Sequence, residues 1–118
     1  MMARNGTSEN STPATDELLE LLGDRYARRV LRTILDEPMA VQQIVDTTGI
    51  SKPTAYRRLD QLERAGLVAS KMLLDTSGNH YKQYWTTLES VTLRIGEDGV
   101  TTTVRADRTQ RSQERRLS

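Results

Sequence analysis

Residues 41–68 read VQQIVDTTGISKPTAYRRLDQLERAGLV, and the fold follows from this stretch. Val41, Ile44 and Val45 recur at helical spacing, which predicts a short helix over about 41–47. Gly49 follows, where a tight turn calls for a residue free to take positive φ. Ser51 is a good N-cap and Pro53 falls in the first turn, so a second helix is expected from Ser51 to about Ala65, stopped by Gly66. Its apolar stripe is Ala55, Leu59 and Leu62, at i, i+4 and i+7. Thr54, Arg57, Arg58 and Gln61 are left to face outward, with Ser51 and Lys52 at the N-terminal mouth.

That division suits a helix that reads duplex DNA. One face docks on the domain, and the other offers charged and amide donors to base edges. Arg57 is the first choice for a base contact, because a guanidinium can bond a guanine at two points. Gln61 and Thr54 are candidates for added readout. Ser51, Lys52 and Arg58 are expected at phosphates, which set register rather than sequence, and the helix N-terminus favours an anion. Tyr56 borders the apolar face and either packs or meets the DNA backbone. From Ser51 to Gly66, four cations (Lys52, Arg57, Arg58, Arg64) stand against two carboxylates (Asp60, Glu63).

Upstream, Asp16 is placed to cap a short helix to Leu22. A further helix is expected from Asp24 to about Asp36, with Ala27, Val30, Leu31 and Ile34 inward and Pro38 ending it. Arg25, Arg28, Arg29 and Arg32 read as a solvated face of this helix, with Asp24 and Arg28 spaced as an i, i+4 pair. Downstream, Leu67–Leu74 and His80–Thr87 read as two strands about a turn at Asp75–Asn79. Leu88–Ile95 and Val100–Arg105 read as a second hairpin. Helices followed by hairpins make an α+β fold. Residues 1–15 are polar and expected to be disordered. Residues 106–118 read as a mobile basic tail or as a solvated terminus without a role, leaving 16–105 as the domain.

The run ISKPTAYRRLDQLERAGLV resembles the reading helix and strand entry of winged-helix regulators of the ArsR-like class. GDRYARRVLRTILDEPMAVQQIVDTTG resembles the helices before it, so the likeness spans about Leu22 to Leu88. The resemblance implies a winged helix-turn-helix fold and a sequence-specific transcription regulator that binds double-stranded DNA. It implies a homodimer placing two reading helices on an inverted repeat. It also makes the 71–82 hairpin the wing, whose Lys71, Asn79, His80 and Lys82 would touch the backbone or minor groove. The chain departs from the class in two ways. The class's metal sensors rely on Cys and clustered His, whereas this chain has no Cys and one His, so no metal or other cofactor is expected. A closing dimerisation helix is replaced by a hairpin. A dimer would use either Leu18, Leu19, Leu21 and Leu22 or the Val91, Leu93 and Ile95 face, residues that core packing also explains.

Net charge by itself argues neither for nor against DNA binding; what matters is whether the positive charges cluster on one surface. The 118 residues carry a formal charge of +1, are 36% hydrophobic and contain no Phe. The lack of Cys excludes disulfides, thiolate metal sites and cysteine nucleophiles. No stretch is long and apolar enough for a membrane span or signal core, so a soluble cytoplasmic protein is expected. No HExxH, GxSxG or phosphate-cradling loop is present, and no enzymatic activity is expected. Two other readings compete: a winged helix used for protein contact, and an effector cleft lined by Tyr81, Tyr84 and Trp85.

Overall fold

A computed structural model of the chain describes residues 15–106. The tails expected at 1–15 and 106–118 fall outside these residues, except for Thr15 and Ala106. The elements run α1 (Thr15–Gly23), α2 (Arg25–Thr33), β1 (Met39–Ala40), α3 (Val41–Thr48), α4 (Lys52–Arg64), β2 (Ala69–Leu74), β3 (His80–Trp85), β4 (Leu88–Gly96) and β5 (Gly99–Ala106).

Four helices build the core. Leu18 and Leu21 of α1, Ala27, Val30 and Leu31 of α2, Val41 and Ile44 of α3, and Ala55, Leu59 and Leu62 of α4 are all buried in one cluster. Each set follows the spacing read from the sequence. Helix α2 begins where Asp24 Oδ2 accepts the Ala27 amide at 2.7 Å. It ends at Thr33 rather than near Asp36. The Leu35 amide reaches back to the Arg32 carbonyl at 3.3 Å, tightening the chain into a turn. Ile34 remains buried all the same. That early stop lets Met39 and Ala40 pair antiparallel with Tyr84 and Gln83. This two-residue strand is too short to show a period, and the sequence reading missed it.

Between α3 and α4 the backbone turns at Gly49 (φ +77°), whose amide donates to the Val45 carbonyl at 2.8 Å. Thr48 Oγ1 donates to the Ile44 carbonyl and accepts from the Ile50 amide, while Ile50 itself is buried. At the far end of α4 the Gly66 amide bonds the Glu63 carbonyl and the Leu67 amide bonds the Leu62 carbonyl. This paired closure is the one that a left-handed glycine at C′ permits, and Gly66 has φ +81°. Leu67 and Val68 bury before the strand begins, so β2 starts at Ala69 rather than Leu67.

The strands form two sheets. One has the order β1-β3-β2, with β2 and β3 making a long hairpin; the other is the β4–β5 hairpin alone. A bulge between Leu88 and Ser90 interrupts the β4–β5 register. In the link between β3 and β4, Thr86 Oγ1 donates to the carbonyl of Leu67, just ahead of β2, at 2.6 Å.

Candidate nucleic-acid interface

Helix α4 turns about 100° per residue, and its buried stripe Ala55–Leu59–Leu62 fixes which side chains look outward. Arg57 and Arg64 lie opposite that stripe, with Pro53. Thr54, Arg58 and Gln61 occupy the flank toward α1 and α2. Tyr56, Asp60 and Glu63 occupy the flank toward the β2–β3 hairpin. Ser51, Lys52, Pro53, Tyr56 and Arg57 are exposed, and Thr54, Arg58 and Gln61 are half-buried.

Charge on this surface is unevenly spent. Arg58, expected at a phosphate, is instead committed to Asp24: Nε to Oδ2 is 2.8 Å and Nη2 to Oδ1 is 3.3 Å. Only 19% of the Arg58 side chain and 29% of Asp24 remain exposed. The Arg58 guanidinium also lies 5.9 Å from the Tyr26 ring centre. This guanidinium, first among several causes, holds the Asp24 carboxyl below the ordinary aspartate value. The i, i+4 partnership expected between Asp24 and Arg28 is therefore displaced; Arg28 donates to the Leu22 carbonyl at 2.8 Å. Arg64 is paired with Asp60 at 2.9 Å. Among the described residues Arg57 and Lys52 enter no ion pair, so they carry the unspent positive charge of the helix.

The helix mouth is less open to anions than its sequence implies. Ser51 Oγ accepts the Thr54 amide at 3.3 Å and donates to Thr54 Oγ1 at 2.9 Å. Pro53 has no amide hydrogen. Of the first-turn donors, the Lys52 amide is left. Gln61 faces a groove shared with Glu17, Glu20, Leu21, Asp24, Arg58 and Arg64. Its carboxylates set a negative boundary to the outward face on the α1 side.

The β2–β3 hairpin stands on the other side. Its turn is closed by Asp75, whose Oδ1 accepts the Ser77 and Asn79 amides at 2.8 and 2.9 Å. Residues paired directly across the ladder share a face. Met72 pairs with Lys82, Leu74 with His80 and Ser70 with Tyr84, whereas Lys71 pairs with Gln83. Ser70 Oγ donates to Glu63 Oε2 at 2.7 Å, which marks the first set as the α4 side. Lys82 and His80 are thus brought to the α4 side, and Lys71 is turned to the opposite side. Asn79, at the tip, is exposed.

Tyr84 sits buried on the α4 side, with Lys82 Nζ 5.8 Å from its ring centre. Burial, with lesser contributions from Tyr56, Glu63 and Asp60, pushes its phenol up from the ordinary tyrosine value. Tyr81 and Trp85 belong to the other face, so the three aromatics do not line one effector cleft.

Comparison with known proteins bears on the fold. Residues 22–71 match the family model of a helix-turn-helix domain. No curated protein sequence matches the chain. Among solved structures, the reduced form of the transcriptional regulator YodB from B. subtilis is similar, with 26% identity and a TM-score of 0.55. That match covers 65% of this chain and 74% of the YodB chain. Among the described residues no helix is long and apolar enough to cross a membrane. With α3, the Gly49 turn and α4 followed by the β2–β3 wing, the chain folds as a winged helix-turn-helix.

Proposed function

We propose that this protein is a transcription regulator that binds double-stranded DNA in a sequence-specific way, with α4 in the major groove. The observation that carries the reading is Arg57, central on the outward face of α4 and unpaired among the described residues, while Arg58 and Arg64 beside it are neutralised. Lys52 and Ser51 flank it at the helix mouth, and Thr54 and Gln61 extend readout on the α1 side. Lys82 and His80 bring the wing to the adjacent backbone or minor groove, and Tyr56 lies between helix and wing. The protein acts as a homodimer on an inverted repeat, works in the cytoplasm by binding rather than by chemistry, and belongs with the ArsR-like class. Its helix-turn-helix match and its likeness to a transcriptional regulator support this reading.

Fluorescence anisotropy of labelled duplex DNA, titrated with protein over a salt series, tests it. Lys52, Arg57 and Lys82 from two copies imply roughly six phosphate-range charges and a log–log salt slope of roughly −5. Arg57→Ala, which removes a two-point base contact worth about 1–3 kcal/mol from each of the two half-sites, is expected to weaken dimer binding at least about 30-fold, with the fold intact by circular dichroism. A folded protein that ignores DNA at low salt defeats the proposal. A second reading, protein contact, draws on Met72 and Leu74, which are exposed on the α4 side of the wing. It predicts the second outcome.

A further inference from the structure

Helix α2 reads RYARRVLRT from Arg25 to Thr33, with four arginines and no carboxylate. The whole chain carries a formal charge of +1, so this one helix holds more positive charge than the molecule does. Ala27, Val30 and Leu31 face the core. At about 100° per residue, Arg25, Arg29 and Arg32 fall on the line opposite them, at i, i+4 and i+7, with Arg28 beside it. All four arginines are exposed. A solvated helix face is ordinarily laced with charges of both signs. Here the nearest carboxylate along the chain is already committed, since Asp24 caps the helix and holds Arg58. Among the described residues none of the four arginines enters an ion pair, and neither do Asp36 and Glu37, the next carboxylates along the chain. Arg28 donates to the Leu22 carbonyl, which leaves Arg25, Arg29 and Arg32 as the open row. Like charges repeat at i, i+3 and i, i+4, and Arg25 stands at the positive end of the helix dipole, so the row works against its own helix.

We propose that Arg25, Arg29 and Arg32 form a second nucleic-acid surface, which holds the phosphodiester backbone of a duplex segment other than the one seated on α4, without reading its sequence. That the polyanion is DNA rests on the DNA-binding reading above. Charge names the occupant. Guanidiniums bond phosphate oxygens at two points. The row from Arg25 to Arg32 is about 10 Å long, and a DNA strand offers a phosphate about every 3.4 Å of its axis, so the row lies along about three phosphate steps in any register. Position separates the two surfaces. Helices α2 and α4 bury their apolar stripes in one core and turn their outer faces to different sides. Glu17 and Glu20 line the groove along the α1 side of α4, so a backbone leaving α4 on that side meets carboxylates. Three guanidiniums per copy imply a log–log salt slope of about −3, or about a 40-fold loss between roughly 50 and 200 mM salt.

A two-duplex capture assay tests this. One duplex is immobilised, loaded with the full chain, washed, and offered a fluorescent duplex of unrelated sequence at low salt. The wild type is expected to capture the second duplex. Arg25→Gln/Arg29→Gln/Arg32→Gln is expected to capture at least about tenfold less while binding the immobilised duplex within about threefold of wild type. Its Tm should equal or exceed that of wild type, because removing like charges relieves the helix; a purely structural role would lower it. If the triple variant fails to fold, Arg29→Gln/Arg32→Gln takes its place with the same expected direction. A wild type that binds the first duplex and captures no second, or a triple variant that captures as wild type does, overturns the proposal. Equal loss of both duplexes overturns it too, by merging the row with the α4 site. So does polyglutamate bound by the wild type and not by the triple variant when no second duplex is captured, which gives the row to an acidic protein surface. Arg57→Ala binding the immobilised duplex as wild type does refutes only the α4 reading, and an α2 variant without effect refutes only the second surface.

Discussion

The Asp24–Arg58 pair joins α4 to the start of α2, and its contribution can be separated from that of the cap by three substitutions. Asp24 does two things: it caps α2 through the Ala27 amide and it holds Arg58 at two points. Asp24→Asn keeps a good cap and removes the charge; Asp24→Ala removes both. Arg58→Met keeps the packed stem and removes the guanidinium. A two-point charged contact of this partial burial is worth about 1–1.5 kcal/mol after solvent screening, and an N-cap about 1 kcal/mol. Asp24→Ala should therefore cost about 2–2.5 kcal/mol, roughly 8–20 °C in Tm for a domain of this length.

Urea unfolding followed by Trp85 fluorescence reads each variant. The Asp24→Asn/Arg58→Met cycle should give a coupling energy of about 1–1.5 kcal/mol. Because the folded carboxyl lies below its unfolded value, this stabilisation is present above about pH 4 and lost as pH falls through the folded value. The cycle should thus be the same at pH 7 and pH 5. Arg58→Met should leave DNA affinity within about threefold of wild type, since that guanidinium is already engaged. A coupling energy near zero, or a loss of DNA affinity equal to that of Arg57→Ala, would refute the assignment of Arg58 to the fold.

Two further outcomes are expected. Leu59 is fully buried on the inner face of α4, so Leu59→Ala should cost about 2–5 kcal/mol in urea unfolding; a cost under about 1 kcal/mol would mean that the α4 stripe is not the centre of the core. Lys82→Ala should weaken DNA binding by several-fold and flatten the salt slope of the dimer by about 2, one contact per copy, while Lys71→Ala, on the opposite face of the wing, should change little. Equal effects from the two lysines would contradict the assignment of wing faces.

The helix-turn-helix was legible because its signals are local. Gly49, Ser51, Pro53 and Gly66 act on their own backbone, and Ala55, Leu59 and Leu62 declare a face by spacing alone. Arg57's central place follows from the same geometry. The tie from Arg58 to Asp24 was not legible because the two lie 34 residues apart, and spacing along one helix cannot report a contact to another. Lys71 and Lys82 looked equivalent until the ladder register put them on opposite faces, a parity set by the turn length at Asp75–Asn79. Tyr81, Tyr84 and Trp85 were separated by the same alternation. β1 was invisible because two residues carry no pattern, and α2's early stop follows from the need to bring those two residues to β3.

That short strand has a mechanical consequence. Ala40 is both the last residue of β1, opposite Gln83, and the residue before α3, its amide held by Gln43 Oε1 at 2.9 Å. No slack linker separates sheet from helix. The wing tip lies about 17 Å beyond this joint, some five residues of strand away. Through Ala40 the wing sheet runs directly into α3, which packs on α4 in the shared core, so one continuous frame sets the position of the wing relative to α4.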